Sequence, residues 1–207
     1  MKNLRQLLLE ICGAPNADID DALATAQLAH LGQMRRSGEE YIEHPKEVAR
    51  IVYDYYQEPM LCAAALMHDV LEDAVGQGNM ATLQDAATMI SASLGDEQEG
   101  REVLRIVQRL SHDKSTPYGE YVLSLLNDPN SLRVKLADML HNLQSTPSPK
   151  QRRKYADALQ MIQNASAGIP PGINPLHWRD LLDATLSLDI NERYLREYIG
   201  VMLKGRK

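Results

Sequence analysis

The chain has 207 residues, 44% hydrophobic and 24% charged, with a formal net charge of −6, the balance of a globular domain of ordinary size. The acidic excess speaks against a broad surface for nucleic-acid backbones, and no apolar run approaches the roughly 20 residues needed to span a bilayer. Cys12 and Cys62 stand in no metal or redox spacing, so both read as buried free thiols of a reducing compartment, the cytoplasm. The N-terminal residues start an amphipathic helix and lack a signal peptide's cleavage site. With no Phe, the core falls to Leu, Ile, Val, Met and nine Tyr.

Apolar residues recur at helical period almost throughout, over about 2–12, 17–31, 45–57, 59–74, 82–94, 97–110, 117–126, 130–144, 149–165, 175–188 and 191–204. Pro59 and Pro117 mark first turns, and Ser148-Pro149-Lys150-Gln151 reads as a capping box. Gly95 and the Gly168–Gly172 stretch read as stops. No window alternates with period two. The expectation is an all-α bundle of about ten helices with no sheet. One domain covers residues 1–165, and residues 166–207 form a C-terminal helical extension packed on it.

Three segments carry the chemistry. The loop Gly32–Pro45 is basic at Arg35 and Arg36 and delivers His44 at the head of a helix. The run Leu61–Asp73 is apolar except for His68, Asp69, Glu72 and Asp73, which crowd one side at about 3.6 residues per turn. Burying such groups unpaired costs several kcal/mol each, roughly, so a cation is expected to compensate them. In the helix at 130–144, Leu132, Leu136, Leu140 and Leu143 form the core stripe, while Lys135, Asp138 and Asn142 share another face.

His44, His68, Asp69 and Asp138 make a mixed nitrogen and oxygen donor set. Four donors on a cation that takes about six ligands leave room for water or substrate, which suits Mn²⁺, Fe²⁺ or Zn²⁺ better than Ca²⁺ or Mg²⁺. An open site of this kind acidifies water and polarises a phosphoryl oxygen. Glu72 and Asp73, one turn on, are placed to move the protons. Plainer readings stand beside these. Glu72 and Asp73 also fit a solvated helix end, and Asp138 also fits an ion-pair partner of Lys135 at i, i+3. His112-Asp113 sits in a polar turn and reads as a loop.

Met67-His-Asp-Val-Leu-Glu-Asp73, Gly32-Gln33 with Arg35-Arg36-Ser37-Gly38-Glu39, Tyr41-Ile42-Glu43-His44-Pro45 and Val134-Lys-Leu-Ala-Asp-Met-Leu-His-Asn142 together resemble the HD-domain phosphohydrolases. More narrowly, they resemble the hydrolase domain of the RelA/SpoT homologues, from about Ala26 to Ser145. The resemblance implies an HD-domain helical bundle that removes the 3′-diphosphate of (p)ppGpp, releasing pyrophosphate. It implies Mn²⁺ on His44, His68, Asp69 and Asp138, with Glu72 and Asp73 at the catalytic water. Arg35, Arg36 and Ser37 would meet the nucleotide and its phosphates, and Asn142 and Ser145 would hold the nucleotide.

The length leaves no room for a synthetase domain, so the expectation is a small alarmone hydrolase acting alone on a small-molecule nucleotide. No nucleic acid or membrane partner is expected, and homo-oligomerisation is left open. Glu40, Ala74 and Leu143-Gln144-Ser145 depart from the family pattern around the nucleotide pocket. (p)ppApp and NADPH or another nucleotide phosphomonoester therefore stay open as substrates, as does a non-catalytic alarmone-binding protein. Lys150, Arg152, Arg153 and Lys154 crowd the first turns of a helix, either as solvated surface or as a collector of distal phosphates at a helix N-terminus.

Overall fold

A computed structural model describes residues 17–72, 83–94, 98–145 and 147–186. Among them the chain is helical, with no strand, and no helix is long and apolar enough to cross a membrane. The helices expected at 2–12 and 191–204, Cys12 and Asp73 lie outside the described residues.

The helices are α1 (Ala17–Ala29), α2 (Glu43–Tyr56), α3 (Pro59–Met67), α4 (Leu83–Leu94), α5 (Gln98–Leu110), α6 (Tyr118–Ser124), α7 (Pro129–Gln144), α8 (Pro149–Ser166) and α9 (Pro175–Leu186), with a 3₁₀ turn at Leu125–Asn127. Helix α3 is the axis of the molecule. Every residue from Leu61 to Met67 is buried, which only a helix covered on all sides permits. Helices α1 and α2 cover it most closely, with α5 and α7 on its other sides. Ala63, Ala64 and Ala65 keep its girth small enough for that close approach.

The ends follow local chemistry. Gln57 closes α2 in a left-handed conformation (φ 54°), and Pro59 then opens α3. Asp128 caps α7 by accepting from Ser131 N, ahead of Pro129. Arg105 also pairs with Asp128, which fastens α5 to the head of α7. Ser148 caps α8 by accepting from Gln151 N at 3.2 Å. The expected reciprocal half of that capping box is absent, because Gln151 Nε2 donates to Tyr155 Oη instead.

Helix α9 lies against α7 and α8, and its Trp178 and Leu181 belong to the common core. Its fully buried His177 stacks on Tyr55 and meets the Tyr56 hydroxyl at 2.8 Å.

The continuous helix expected over 59–74 is interrupted. Helix α3 ends at Met67, residues 68–69 form a turn, and helix resumes at residues 70–72. In an unbroken helix the Ala65 carbonyl would serve the amide four residues on. Here it lies 2.7 Å from His68 Nδ1, so the side chain competes with the main chain at the site-forming residues.

Candidate metal centre and cleft

Three elements bring the expected ligands together. The loop before α2 is cross-linked by Arg35 N donating to Glu39 O (2.8 Å) and Tyr41 N donating to Gln33 O (2.9 Å), around a bridge between Met34 and Glu40. Gly32 (φ 75°) and Gly38 (φ 88°) supply its left-handed turns. The loop sets His44 in the first turn of α2, 3% exposed. The turn after α3 presents His68 and Asp69, and the middle of α7 presents Asp138, 5% exposed.

The four side chains converge. His44 Nε2 lies 3.2 Å from Asp138 Oδ1 and 3.6 Å from Asp69 Oδ2. His68 Nε2 lies 3.1 Å from Asp69 Oδ2 and 3.8 Å from Asp138 Oδ1. Ligand atoms of His44, His68 and Asp69 all fall within 4.8 Å of one another, a spacing that one ion can bridge.

The chemistry of His68 tests whether a cation fits. Its Nδ1 faces a carbonyl, which only accepts, so Nδ1 carries the proton. Nε2 is then buried without a hydrogen-bond partner, although Asp69 Oδ2 lies 3.1 Å away. That atom must take either a proton or a cation. Burial alone would lower the His68 pKa, but Asp69 and Asp138 outweigh it and push it up to about 9. Burial would raise both aspartates, yet His68 and His44 hold Asp69 well below the usual carboxylate range, and Lys135 with the two histidines does the same for Asp138. The centre demands positive charge, and a divalent cation suits it.

Further donors steady these side chains. The Tyr41 hydroxyl donates to Asp69 Oδ2 at 2.7 Å. Lys135 Nζ donates to Asp138 Oδ2 at 2.8 Å, and Asn142 Nδ2 donates to Oδ1 at 2.5 Å. His141 Nδ1 lies 2.6 Å from His44 Nδ1, and burial together with the charges of His44 and Arg35 lowers its pKa to about 3. Neither Tyr41 nor His141 receives a role from the sequence. His141 follows Asp138 by three residues, and that helical spacing is the signal that could have found it. Tyr41 sits in a loop, where no periodicity points to it.

An open cleft of about 750 Å³ runs out from the centre, a size suited to a small molecule. Arg35, Arg36 and Ser37 line it from the loop, Glu72 from beyond His68, and Asn142 and Ser145 from the end of α7. Lys150 and Lys154 line it from α8, whereas Arg152 and Arg153 do not. Lys154 Nζ sits 4.1 Å from the centre of the Tyr118 ring. Asn142 is shared, since its Oδ1 accepts from Arg35 at 3.3 Å.

The HD domain family matches residues 22–164. The bifunctional (p)ppGpp synthase/hydrolase SpoT of Escherichia coli K12 is 34% identical over 141 residues, 65% of this chain and 19% of that protein. A probable GTP pyrophosphokinase of Mycobacterium leprae is 31% identical over 191 residues, 91% of this chain and 23% of that protein. A putative chloroplastic GTP diphosphokinase of rice, Oryza sativa subsp. japonica, is 31% identical over 154 residues, 70% of this chain and 17% of that protein. The chain thus spans about a fifth of the length of these curated relatives. With the match running from α1 through α8 and including the whole cluster of histidines and aspartates, this chain belongs to the HD-domain family and is of the RelA/SpoT-homologue type.

Proposed function

We propose that the chain is a metal-dependent phosphohydrolase that removes the 3′-diphosphate of guanosine alarmones, converting (p)ppGpp to GDP or GTP and pyrophosphate. The observation that carries this reading is the convergence of His44, His68, Asp69 and Asp138 beside a cleft bearing Arg35, Arg36, Lys150 and Lys154. Its likeness to SpoT, named as a synthase and hydrolase of the same nucleotide, supports the substrate. Two imidazoles with two carboxylates favour Mn²⁺, with Fe²⁺ or Zn²⁺ as substitutes. When bound, such a cation supplies Lewis acidity toward a phosphoryl oxygen and lowers the pKa of water.

The chain's own residues do the rest. Glu72, in the cleft wall beyond His68, accepts a proton from the attacking water. The bond from phosphorus to the ribose 3′-oxygen breaks, and that oxygen takes up a proton, for which Asp73 is the donor the sequence suggests. Arg35 and Arg36 offset the charge of the departing diphosphate. Lys150 and Lys154 receive the distal phosphates. Asn142, whose amide bridges Arg35 and Asp138, serves the nucleotide by fixing Arg35. Ser145, at the cleft's edge, adds a hydroxyl. The overall charge of −6 then surrounds a locally cationic mouth that draws in an anionic substrate.

A turnover panel of ppGpp, pppGpp, ppApp and NADPH with Mn²⁺ tests the reading. Pyrophosphate from the guanosine compounds, absent without metal, is expected. Faster turnover of ppApp would make the chain an adenosine-alarmone hydrolase. Orthophosphate from NADPH alone would make it a phosphomonoesterase, and tight binding of ppGpp without turnover would make it an alarmone-binding protein.

A further inference from the structure

His44 and His141 meet through their Nδ1 atoms at 2.6 Å. At that distance one nitrogen donates and the other accepts, because two lone pairs or two N–H groups would repel. Arg35 decides which. Its guanidinium nitrogen Nη1 lies 3.4 Å from the same His141 Nδ1, and a guanidinium has only donors. His141 Nδ1 is therefore the bare acceptor, and His44 Nδ1 carries the hydrogen. The His141 proton then sits on Nε2, which faces the Ser145 hydroxyl oxygen at 3.3 Å. That oxygen is able to accept, since its own proton goes to the His141 carbonyl at 2.9 Å.

The consequence reaches the candidate metal centre. With a hydrogen held on Nδ1, the nitrogen of His44 that gives up its proton to an incoming cation is Nε2, the atom that faces Asp138 Oδ1 and Asp69 Oδ2. A cation needs the lone pair so freed, and the ring is held in the tautomer that presents it. We infer that His141 is a positioning residue for the metal centre, kept as its Nε2–H tautomer by Arg35 and Ser145 so that His44 turns its Nε2 lone pair toward the cation. A metal-bound imidazole commonly gives its second N–H to a carboxylate or carbonyl, and loss of such a partner weakens metal binding about 10–100-fold. A neutral imidazole in this place orients the ligand without adding negative charge to a centre that already holds two carboxylates.

The inference rests on reading the four side chains as a metal centre, and the test separates the two. The full-length chain, stripped of metal, is titrated with Co²⁺ and followed by visible absorption, as wild type, Asp69→Ala, His141→Leu and His141→Gln. The expected result is a 10–100-fold weaker affinity and an altered Co²⁺ spectrum for His141→Leu. His141→Gln, whose amide oxygen accepts a hydrogen bond, should recover most of that loss. His141→Leu binding as wild type does, while Asp69→Ala fails to bind, overturns the role of His141 alone. Equal losses in the Leu and Gln variants overturn it too, since packing rather than an acceptor would then be at stake. No Co²⁺ binding by wild type removes the metal centre itself and the inference with it. Should His141→Leu not fold, long-range ¹H–¹⁵N spectra of the Zn²⁺-loaded wild type decide. A proton on His141 Nε2 supports the inference, and a proton on His141 Nδ1 contradicts it.

Discussion

Lys135 Nζ donates to Asp138 Oδ2 across 2.8 Å, which leaves Asp138 Oδ1 to face His44. The lysine is itself largely enclosed, at 14% side-chain exposure, and lies over the rings of Tyr118 and Tyr121. Burial would lower its pKa, but Asp138 outweighs that and raises it well above the ordinary value. The ion-pair reading and the ligand reading of Asp138 are thus not rivals, since each takes one oxygen.

Lys135→Met should expose the cost of that arrangement. Removing one partner of a buried pair typically destabilises by about 3–5 kcal/mol, and a bound cation should recover part of it by taking over the role of counter-charge. Thermal unfolding with and without Mn²⁺ checks this. A melting temperature equal to wild type in the metal-free protein would show that Lys135 carries no such load.

Metal binding should release a proton. His68 is pushed up to about 9 by Asp69 and Asp138, so below that pH a cation must displace a proton from Nε2. Apparent affinity should climb with pH, about tenfold per unit where a single proton is displaced, and level off near pH 9. Calorimetry near pH 7 in buffers of different ionisation enthalpy reads the proton directly, and a buffer-independent enthalpy would rule it out.

The two walls of the cleft should divide their labour. Glu72→Gln keeps the shape and loses the proposed base, so kcat should fall about 10²–10⁴-fold with Mn²⁺ affinity retained. Lys150→Glu with Lys154→Glu, which line the cleft from α8, should raise KM far more than it lowers kcat. Steady-state kinetics on (p)ppGpp separates them. A wild-type rate in the first variant, or an unchanged KM in the second, would remove that residue's assigned part.

The core adds a pH limit of its own. Burial lowers the His177 pKa from 6.5 to about 4. The folded state therefore binds its proton less readily than the unfolded chain. The stability of neutral His177 is present in full above pH 6.5, declines as pH falls, and is lost by about pH 4. The span corresponds to roughly 3 kcal/mol at 1.36 kcal/mol per unit. Urea unfolding between pH 4 and 8 should show that slope in wild type and lack it in His177→Gln. Parallel curves for the two would deny His177 the effect.

The sequence makes legible what repeats or is fixed by local chemistry. The Leu132–Leu136–Leu140–Leu143 stripe, Pro59 before an apolar run and the Ser148 cap each declare a helix within a few residues. The candidate ligands were legible because His68 and Asp69 interrupt an apolar run, while His44 closes a basic loop and Asp138 shares the polar face of a helix with Lys135 and Asn142. The turn at His68 and Asp69 was not, because helix-forming residues surround it and the competing acceptor, the Ala65 carbonyl, leaves no mark in composition. His141 and Tyr41 were missed since their roles depend on partners distant in the chain, His44 from α2 in one case and Asp69 after α3 in the other. For the basic run after Ser148, sequence offers four cations, while the facing of α8 admits only Lys150 and Lys154 to the cleft.

Calorimetric titration of Mn²⁺ into the metal-stripped chain, with wild type and Asp138→Ala side by side, bears most directly on the centre. One ion per chain in wild type and none held with comparable affinity in Asp138→Ala is the expected result. Equal binding by both, or no binding by wild type, would contradict it.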